Sequence, residues 1–324
     1  MSDLEMSLAV CDYDHVRDLV SGAVKAEGLN INFQSFSIQE IFHRFTTFRE
    51  WDASEMSMGM YTALRSQGDD SLIAIPVFTS RVFRLSSFYV NRNSAIKSAA
   101  DLRGGKVGYP EWAHTAGIYS RAYLMHETGI PLEEIEWVQS GVNKGGIAEH
   151  VDLALPANVR ITPVTDRSLD EMLIAGEIDA LMSSAAPKSF IDGNPDIVRL
   201  VPDFEDVESA HYKKTGIFPI MHCIAIKREI TDRNPWVAKN LFTAFEAAKN
   251  RSTERLRDVT ISRYPNPWNF AGAERARALF GSDIWPYGIE PNRKTLEPFL
   301  QFCLEQGIAH RPMEVKELFA PQLQ

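Results

Sequence analysis

Residues 168–182 read Ser168-Leu169-Asp170-Glu171-Met172-Leu173-Ile174-Ala175-Gly176-Glu177-Ile178-Asp179-Ala180-Leu181-Met182. The spacing from Ser168 to Ala175 predicts a short helix, and Gly176 can take the left-handed conformation that ends one. Ile178 to Met182 then reads as a buried strand. Upstream, Ala100-Asp101-Leu102-Arg103-Gly104-Gly105-Lys106-Val107-Gly108-Tyr109 gives a similar order of short helix, glycine turn and strand. Helix and strand alternating on this scale predict an α/β fold.

Working outward, residues 6–11 and 29–35 read as strands around a helical stretch near Val16 to Lys25. Ile38, Ile41, Phe42, Phe45 and Phe48 recur at helical spacing. Leu72-Ile73-Ala74-Ile75-Pro76-Val77-Phe78 is a continuous apolar run, as in a strand covered on both faces. Val82 to Val90 is expected to be a second extended stretch. A helix from Thr115 to Glu127 and a strand near Ile135 to Val138 follow, and residues 141–163 lack periodicity. After the apolar strand Ile220 to Ile226 the chain turns helical, over Trp236–Lys249, Ala271–Leu279 and Arg293–Gln306.

The 324 residues are 44% hydrophobic and 24% charged, an ordinary globular balance with room for two domains. No window holds the roughly eighteen consecutive apolar residues that a membrane span needs. A net charge of −9 disfavours nucleic acid as a partner, because phosphate binding needs clustered cations. The opening Met-Ser-Asp-Leu-Glu-Met is acidic where an export signal is basic, so a cytoplasmic location is expected. Cys11, Cys223 and Cys303 are far apart and odd in number, which predicts buried reduced thiols rather than a disulfide framework or a metal pair. The sequence is compatible with a homo-oligomer. Phosphate-loop, dinucleotide-binding, zinc-protease and hydrolase-elbow motifs are all missing.

The two glycine-punctuated units at 101–108 and 169–182 together resemble type 2 periplasmic binding proteins. That resemblance implies a two-lobed α/β fold with two crossover strands, a ligand cleft between the lobes and a helical C-terminal region. The crossovers are expected at 82–90 and 217–226, giving lobe one as residues 1–88 plus 222–324 and lobe two as residues 89–221. A longer pattern is similar to 4,5-dihydroxyphthalate decarboxylases. It comprises Ala9 to Arg17, Glu55-Met56-Ser57, Pro76-Val77-Phe78 with Ser80-Arg81, Phe83-Arg84, Tyr109-Pro110-Glu111, Thr215-Gly216-Ile217-Phe218-Pro219-Ile220-Met221-His222, Trp285-Pro286-Tyr287-Gly288 and Glu317-Leu318-Phe319. The chain departs from the family pattern at Ala185, where an Arg often stands before Ala-Pro, and at Trp112-Ala113-His114-Thr115.

The resemblance implies a cofactor-independent carboxy-lyase acting on a small hydroxylated aromatic acid such as 4,5-dihydroxyphthalate, giving protocatechuate and carbon dioxide. A divalent metal stabilising a phenolate is compatible with that chemistry. Such an enzyme must hold carboxylates, favour phenolate character and place a proton donor over the ring carbon. Arg81 and Arg84 are the candidate carboxylate clamp, although strand positions three apart face opposite sides. His222 is a core histidine by its apolar strand alone, and a proton donor by its place in the family string. Glu111 is either a second acid/base or a helix cap. Asp12 and Arg17 follow the first strand, where open α/β sheets place ligands. Ser57, His114, Thr115 and Tyr287 complete the expected substrate-binding set, His114 and Thr115 because helix N-termini attract carboxylates. The competing expectation is a non-catalytic solute-binding protein for an aromatic acid, with the same fold and the same need for arginine.

Overall fold

The structure, a computed structural model, describes residues 3–261 and 263–324. Its strands are β1 (Leu4–Ala9), β2 (Leu29–Gln34), β3 (Ala53–Ser57), β4 (Leu72–Arg81), β5 (Phe88–Asn91), β6 (Lys106–Tyr109), β7 (Glu136–Gln139), β8 (Ile161–Pro163), β9 (Ala180–Met182), β10 (Ile197–Arg199) and β11 (Ile220–Lys227). They form a five-stranded sheet, ordered β2-β1-β3-β11-β4, and a six-stranded sheet, ordered β10-β5-β9-β6-β7-β8. In the first sheet β1 runs parallel to β2 and β3, while β11 is antiparallel to both its neighbours. In the second, β6 to β9 run parallel and β5 is antiparallel to β9 and β10. Each sheet therefore contains one reversed strand, and in each case it is the first strand formed after the chain crosses over from the other sheet.

The apolar run from Leu72 becomes β4, buried along nearly its whole length. The helix Trp236–Arg257 packs on Asp14–Val20 and on β4, burying Val237, Leu241, Phe245 and Ala248 along one stripe. The helix Arg293–Glu305 packs against both Thr115–Glu127 and Met58–Ser66. One close approach joins elements that follow different sheets. A Cβ on Gly59 would lie 2.2 Å from the Ala113 carbonyl oxygen, so only glycine fits there.

One expectation needs correction, and two segments form elements that the sequence pattern does not announce. The stretch from Val82 to Val90 is not one strand: β4 ends at Arg81, a 3-10 turn covers Leu85–Ser87, and β5 begins at Phe88. The buried Glu208 carboxylate accepts the Leu85 N–H at 2.7 Å there, satisfying a group that a sheet ladder would otherwise pair. Residues 53–66, to which the sequence pattern assigns no element, are strand β3 and the helix Met58–Ser66. The helix Phe204–Thr215, ended by Gly216 in the left-handed conformation, was not foreseen in the charged sequence that forms it. Among the described residues no helix is long and apolar enough to cross a membrane.

Candidate functional site

The site begins with a buried carboxylate. Glu55 lies in the middle of β3 with no exposed side-chain surface, a position that a charge occupies only when its oxygens are satisfied. Its Oε1 accepts from His222 Nδ1 at 2.7 Å, the Tyr13 hydroxyl at 2.7 Å and the Thr79 hydroxyl at 2.8 Å. Its Oε2 accepts the Cys11 backbone N–H at 3.0 Å. Burial by itself raises the Glu55 pKa. The His222 contact and the other donors outweigh that effect and hold the carboxyl below its ordinary value.

Sheet register explains the pair. His222 on β11 is opposite Ser57 on β3, so Glu55, two residues along, lies on the same face at a diagonal position. Register shifts against β4 fall on both sides of His222, an irregularity of the kind that re-aims a side chain at a site. The imidazole meets Phe42 edge-on at 4.9 Å. With Nδ1 committed to Glu55, the remaining nitrogen, Nε2, has no protein partner among the described residues, and His222 borders an open cavity.

That cavity has a volume of about 610 Å³ and lies between the two sheets, beyond the carboxyl ends of the parallel strands. Phe42 and Met60 from the first lobe, and Val142 and Ile147 from the second, form apolar walls. Arg84, His114, Glu111, His150, Ser183 and His222 supply the polar groups. Arg84 gives its Nε to Met221 Sδ at 3.4 Å, and its terminal nitrogens have no partner among the described residues. Burial pushes Arg84 down to about 10, which leaves it cationic at neutral pH. The first turns of the helices Ile38–Phe48 and Met58–Ser66 border the same space, as does His114 at the start of Thr115–Glu127. These helix ends add positive potential beside the guanidinium. Burial, with the charges of Arg84 and His222 adding to it against Glu111, lowers His114 to about 4, so that ring is neutral at pH 7. Glu111 meets His150 Nδ1 at 3.2 Å, and that hydrogen bond raises the His150 pKa.

Of the ten residues expected at the site, the structure brings Arg84, Glu111, His114 and His222 together on the cavity wall. The other six lie elsewhere. Arg81 does not border the cavity; it donates to the Phe218 carbonyl at 2.9 Å and the Pro286 carbonyl at 3.1 Å and lies over the Phe218 ring. Ser57 and Thr115 bond to each other at 2.9 Å, and Thr115 also accepts the Gly59 N–H, making a buried polar latch. Tyr287 is buried near Lys249 and does not border the cavity. Arg17 pairs with Asp14 at 3.0 Å on an exposed helix face, and Asp12 is exposed. In all of these but Tyr287, whose buried hydroxyl has no hydrogen-bond partner among the described residues, a local structural partner or solvent occupies the group expected to meet ligand.

Glu55 and His150 were missed as functional groups. Glu55 was legible, because it is the sole charge from Ala53 to Leu64, and an isolated charge within a buried run requires partners. His150 lies in the aperiodic stretch after β7, where long irregular connections often carry function. Among the described residues no three His, Cys, Asp or Glu side chains are grouped as metal ligands.

The fold is that of periplasmic binding proteins. The aliphatic sulphonate-binding protein SsuA of Escherichia coli superposes with a TM-score of 0.56 at 12% identity, covering 99% of each chain. A periplasmic sulfonate-binding protein of Methylobacillus flagellatus gives a TM-score of 0.53 at 14% identity, over 100% of this chain and 93% of that one. No family model matches the sequence. Curated relatives are much nearer in sequence. The 4,5-dihydroxyphthalate decarboxylase of Comamonas testosteroni is 33% identical over 322 residues, 99% of this chain and 98% of its own. That of Pseudomonas putida is 35% identical over 215 residues, 66% of this chain and 83% of its own. With identity of this order running from end to end, the chain belongs to the 4,5-dihydroxyphthalate decarboxylase family.

Proposed function

We propose that the protein is a carboxy-lyase that removes carbon dioxide from 4,5-dihydroxyphthalate or a closely similar hydroxylated aromatic acid. The observation that carries this reading is the Glu55–His222 pair, whose free Nε2 opens on the cavity that Arg84 also borders. Arg84 and the nearby helix N-termini hold the substrate carboxylates. Protonated His222 donates from Nε2 to the ring carbon bearing the departing carboxylate, and Glu55 serves as counter-ion and fixes the ring's orientation. Electron density from the hydroxyl para to that carbon makes it basic enough to accept the proton. The bond to the carboxylate then breaks, its electron pair restores the aromatic ring, and carbon dioxide leaves. One proton is consumed per turnover. Because the substrate's own hydroxyl supplies the electron density, we assign the reaction no organic cofactor.

The test is incubation of the purified protein with 4,5-dihydroxyphthalate, following carbon dioxide and the dihydroxybenzoate product. His222→Gln keeps a hydrogen-bonding group but cannot deliver the proton, and kcat should fall about 10²–10⁴-fold. Ligand recovered intact from a tightly bound complex, with no carbon dioxide released, would mean a solute-binding protein instead.

A further inference from the structure

The reaction moves two protons, and the cavity holds two histidine–carboxylate pairs. Glu55–His222 belongs to the five-stranded sheet. The second pair, Glu111–His150, comes from loops that follow β6 and β7 of the six-stranded sheet. Its geometry repeats the first: Nδ1 meets a carboxylate at 3.2 Å, and Nε2 has no partner among the described residues. Both rings border the same cavity. The Glu111 side chain is 15% exposed and that of His150 is 32% exposed, so the pair sits at the cavity's wetter side.

We propose that His150 is the base that takes the proton from the substrate's ring hydroxyl, and that Glu111 is the positioning residue that orients it. This rests on the decarboxylase reading above. His150 Nε2 accepts the hydroxyl proton, and the phenolate pushes its electron pair into the ring. The ring carbon para to it takes a proton from His222 Nε2, giving a dienone. The carbon–carboxylate bond breaks, its electrons return the oxygen to phenolate, and His150 hands the first proton back. His150 therefore ends each cycle as it began, and only His222 needs a proton from water.

The groups around His150 fit that role. His43, on the helix Ile38–Phe48 across the cleft, approaches its ring edge at 5.7 Å. Glu149 adds negative charge, but its own oxygens are occupied by the N–H groups of Trp112 and Ala113 and by the Gln139 amide. Arg84, His114 and His222 are the other titratable groups on the cavity wall. Glu111 is therefore the carboxylate in direct contact with His150, and it raises the pKa of that ring.

The experiment compares wild type with His150→Gln, Glu111→Gln and His222→Gln on two substrates. One is 4,5-dihydroxyphthalate. The other is a nitro-substituted analogue whose hydroxyl is already ionised at the assay pH. With the parent compound, His150→Gln should lower kcat/KM about 10²–10⁴-fold and remove a limb of the pH–rate profile. With the pre-ionised analogue its rate should return close to that of wild type, and Glu111→Gln should follow the same pattern to a smaller extent. His222→Gln should be slow on both. Equal loss on the two substrates, or no loss on either, would overturn the role of His150 while leaving the decarboxylase reading intact. Failure of the wild type on both compounds would remove both. His150 is partly exposed, so folded variant is expected, and thermal melts of each variant confirm it.

Discussion

Glu55→Gln changes one atom at the most constrained position in the site. The carboxylate has donors on both oxygens: three on Oε1, from His222, Tyr13 and Thr79, and one on Oε2, from Cys11. If the glutamine oxygen takes the Oε1 position, its amide faces the Cys11 N–H, donor against donor. Such an orphaned pair costs about 1–3 kcal/mol. If the amide turns over, it donates to His222 Nδ1, which must then stay unprotonated, so the ring is held neutral and its Nε2–H is a far weaker acid than that of the imidazolium. In the serine-protease triad the same neutralisation costs about 10⁴ in kcat. We therefore expect Glu55→Gln to lower kcat by about 10²–10⁴ with KM little changed. It should also lower the melting temperature at neutral pH. The Glu55 pKa is depressed in the folded state, so its stabilisation is present above the unfolded carboxylate range and is lost as pH falls through the lowered folded value. Wild type and variant should accordingly converge in stability at acid pH. Stopped assays of carbon dioxide release, paired with melts across pH, measure both effects. Unchanged kcat in a destabilised but folded Glu55→Gln would refute the dyad.

Two further substitutions separate binding from architecture. Arg84→Ala should raise KM about 10–100-fold, the worth of a charged hydrogen-bonded contact, and Arg84→Lys should restore little of it because the ammonium cannot grip a carboxylate with two parallel bonds. Arg81→Ala should leave KM unchanged and lower the melting temperature, since the Phe218 carbonyl loses its donor at about 1–3 kcal/mol, while the Pro286 carbonyl keeps the Asn292 amide; Michaelis curves and melts on the same preparations distinguish the two arginines. His114, lowered to about 4 in the folded protein, binds a proton in the unfolded chain first. Stability should thus fall as pH drops from about 6.5 to about 4, by roughly 3 kcal/mol at most, and level off below. His114→Gln should flatten that part of the curve, and an unaltered slope in urea titrations would count against a neutral buried ring.

The strands and helices that frame the site were legible because their hydrophobic periodicity is strong. Ile38–Phe48 and Thr115–Glu127 begin and end where the pattern puts them. The helix Phe204–Thr215 was not, because only Glu208 on it is buried and its sequence offers little apolar stripe. At the site, His222 was singled out by its place in the family string, its apolar strand alone making it a core histidine, and Arg84 by its residue type and that same pattern. The division of labour between Arg81 and Arg84 was not legible, because it depends on β4 ending at Arg81 and the chain turning before Arg84. Ser57 and Thr115 are polar residues in the right places, and only their mutual distance reveals that each satisfies the other. Pairings between distant segments, such as Glu55 with His222 or Glu111 with His150, leave no trace in spacing.

The insertion of β11 between β3 and β4 has a consequence for how this protein is made. The first sheet cannot be completed from its own contiguous sequence, since everything between Arg81 and Ile220 must be synthesised before the central reversed strand exists. Until then a nascent chain carries two unpaired interior strand edges, on β3 and β4, and a Glu55 carboxylate lacking its imidazole partner. Closing that gap requires a long-range pairing of the kind that slows folding and exposes edges to other chains. The second lobe, contiguous from β5 to β10, faces no such wait and can form while the first is still open. Vectorial synthesis therefore allows the later sheet to close first, and the Glu55–His222 pair cannot form until β11 has been made.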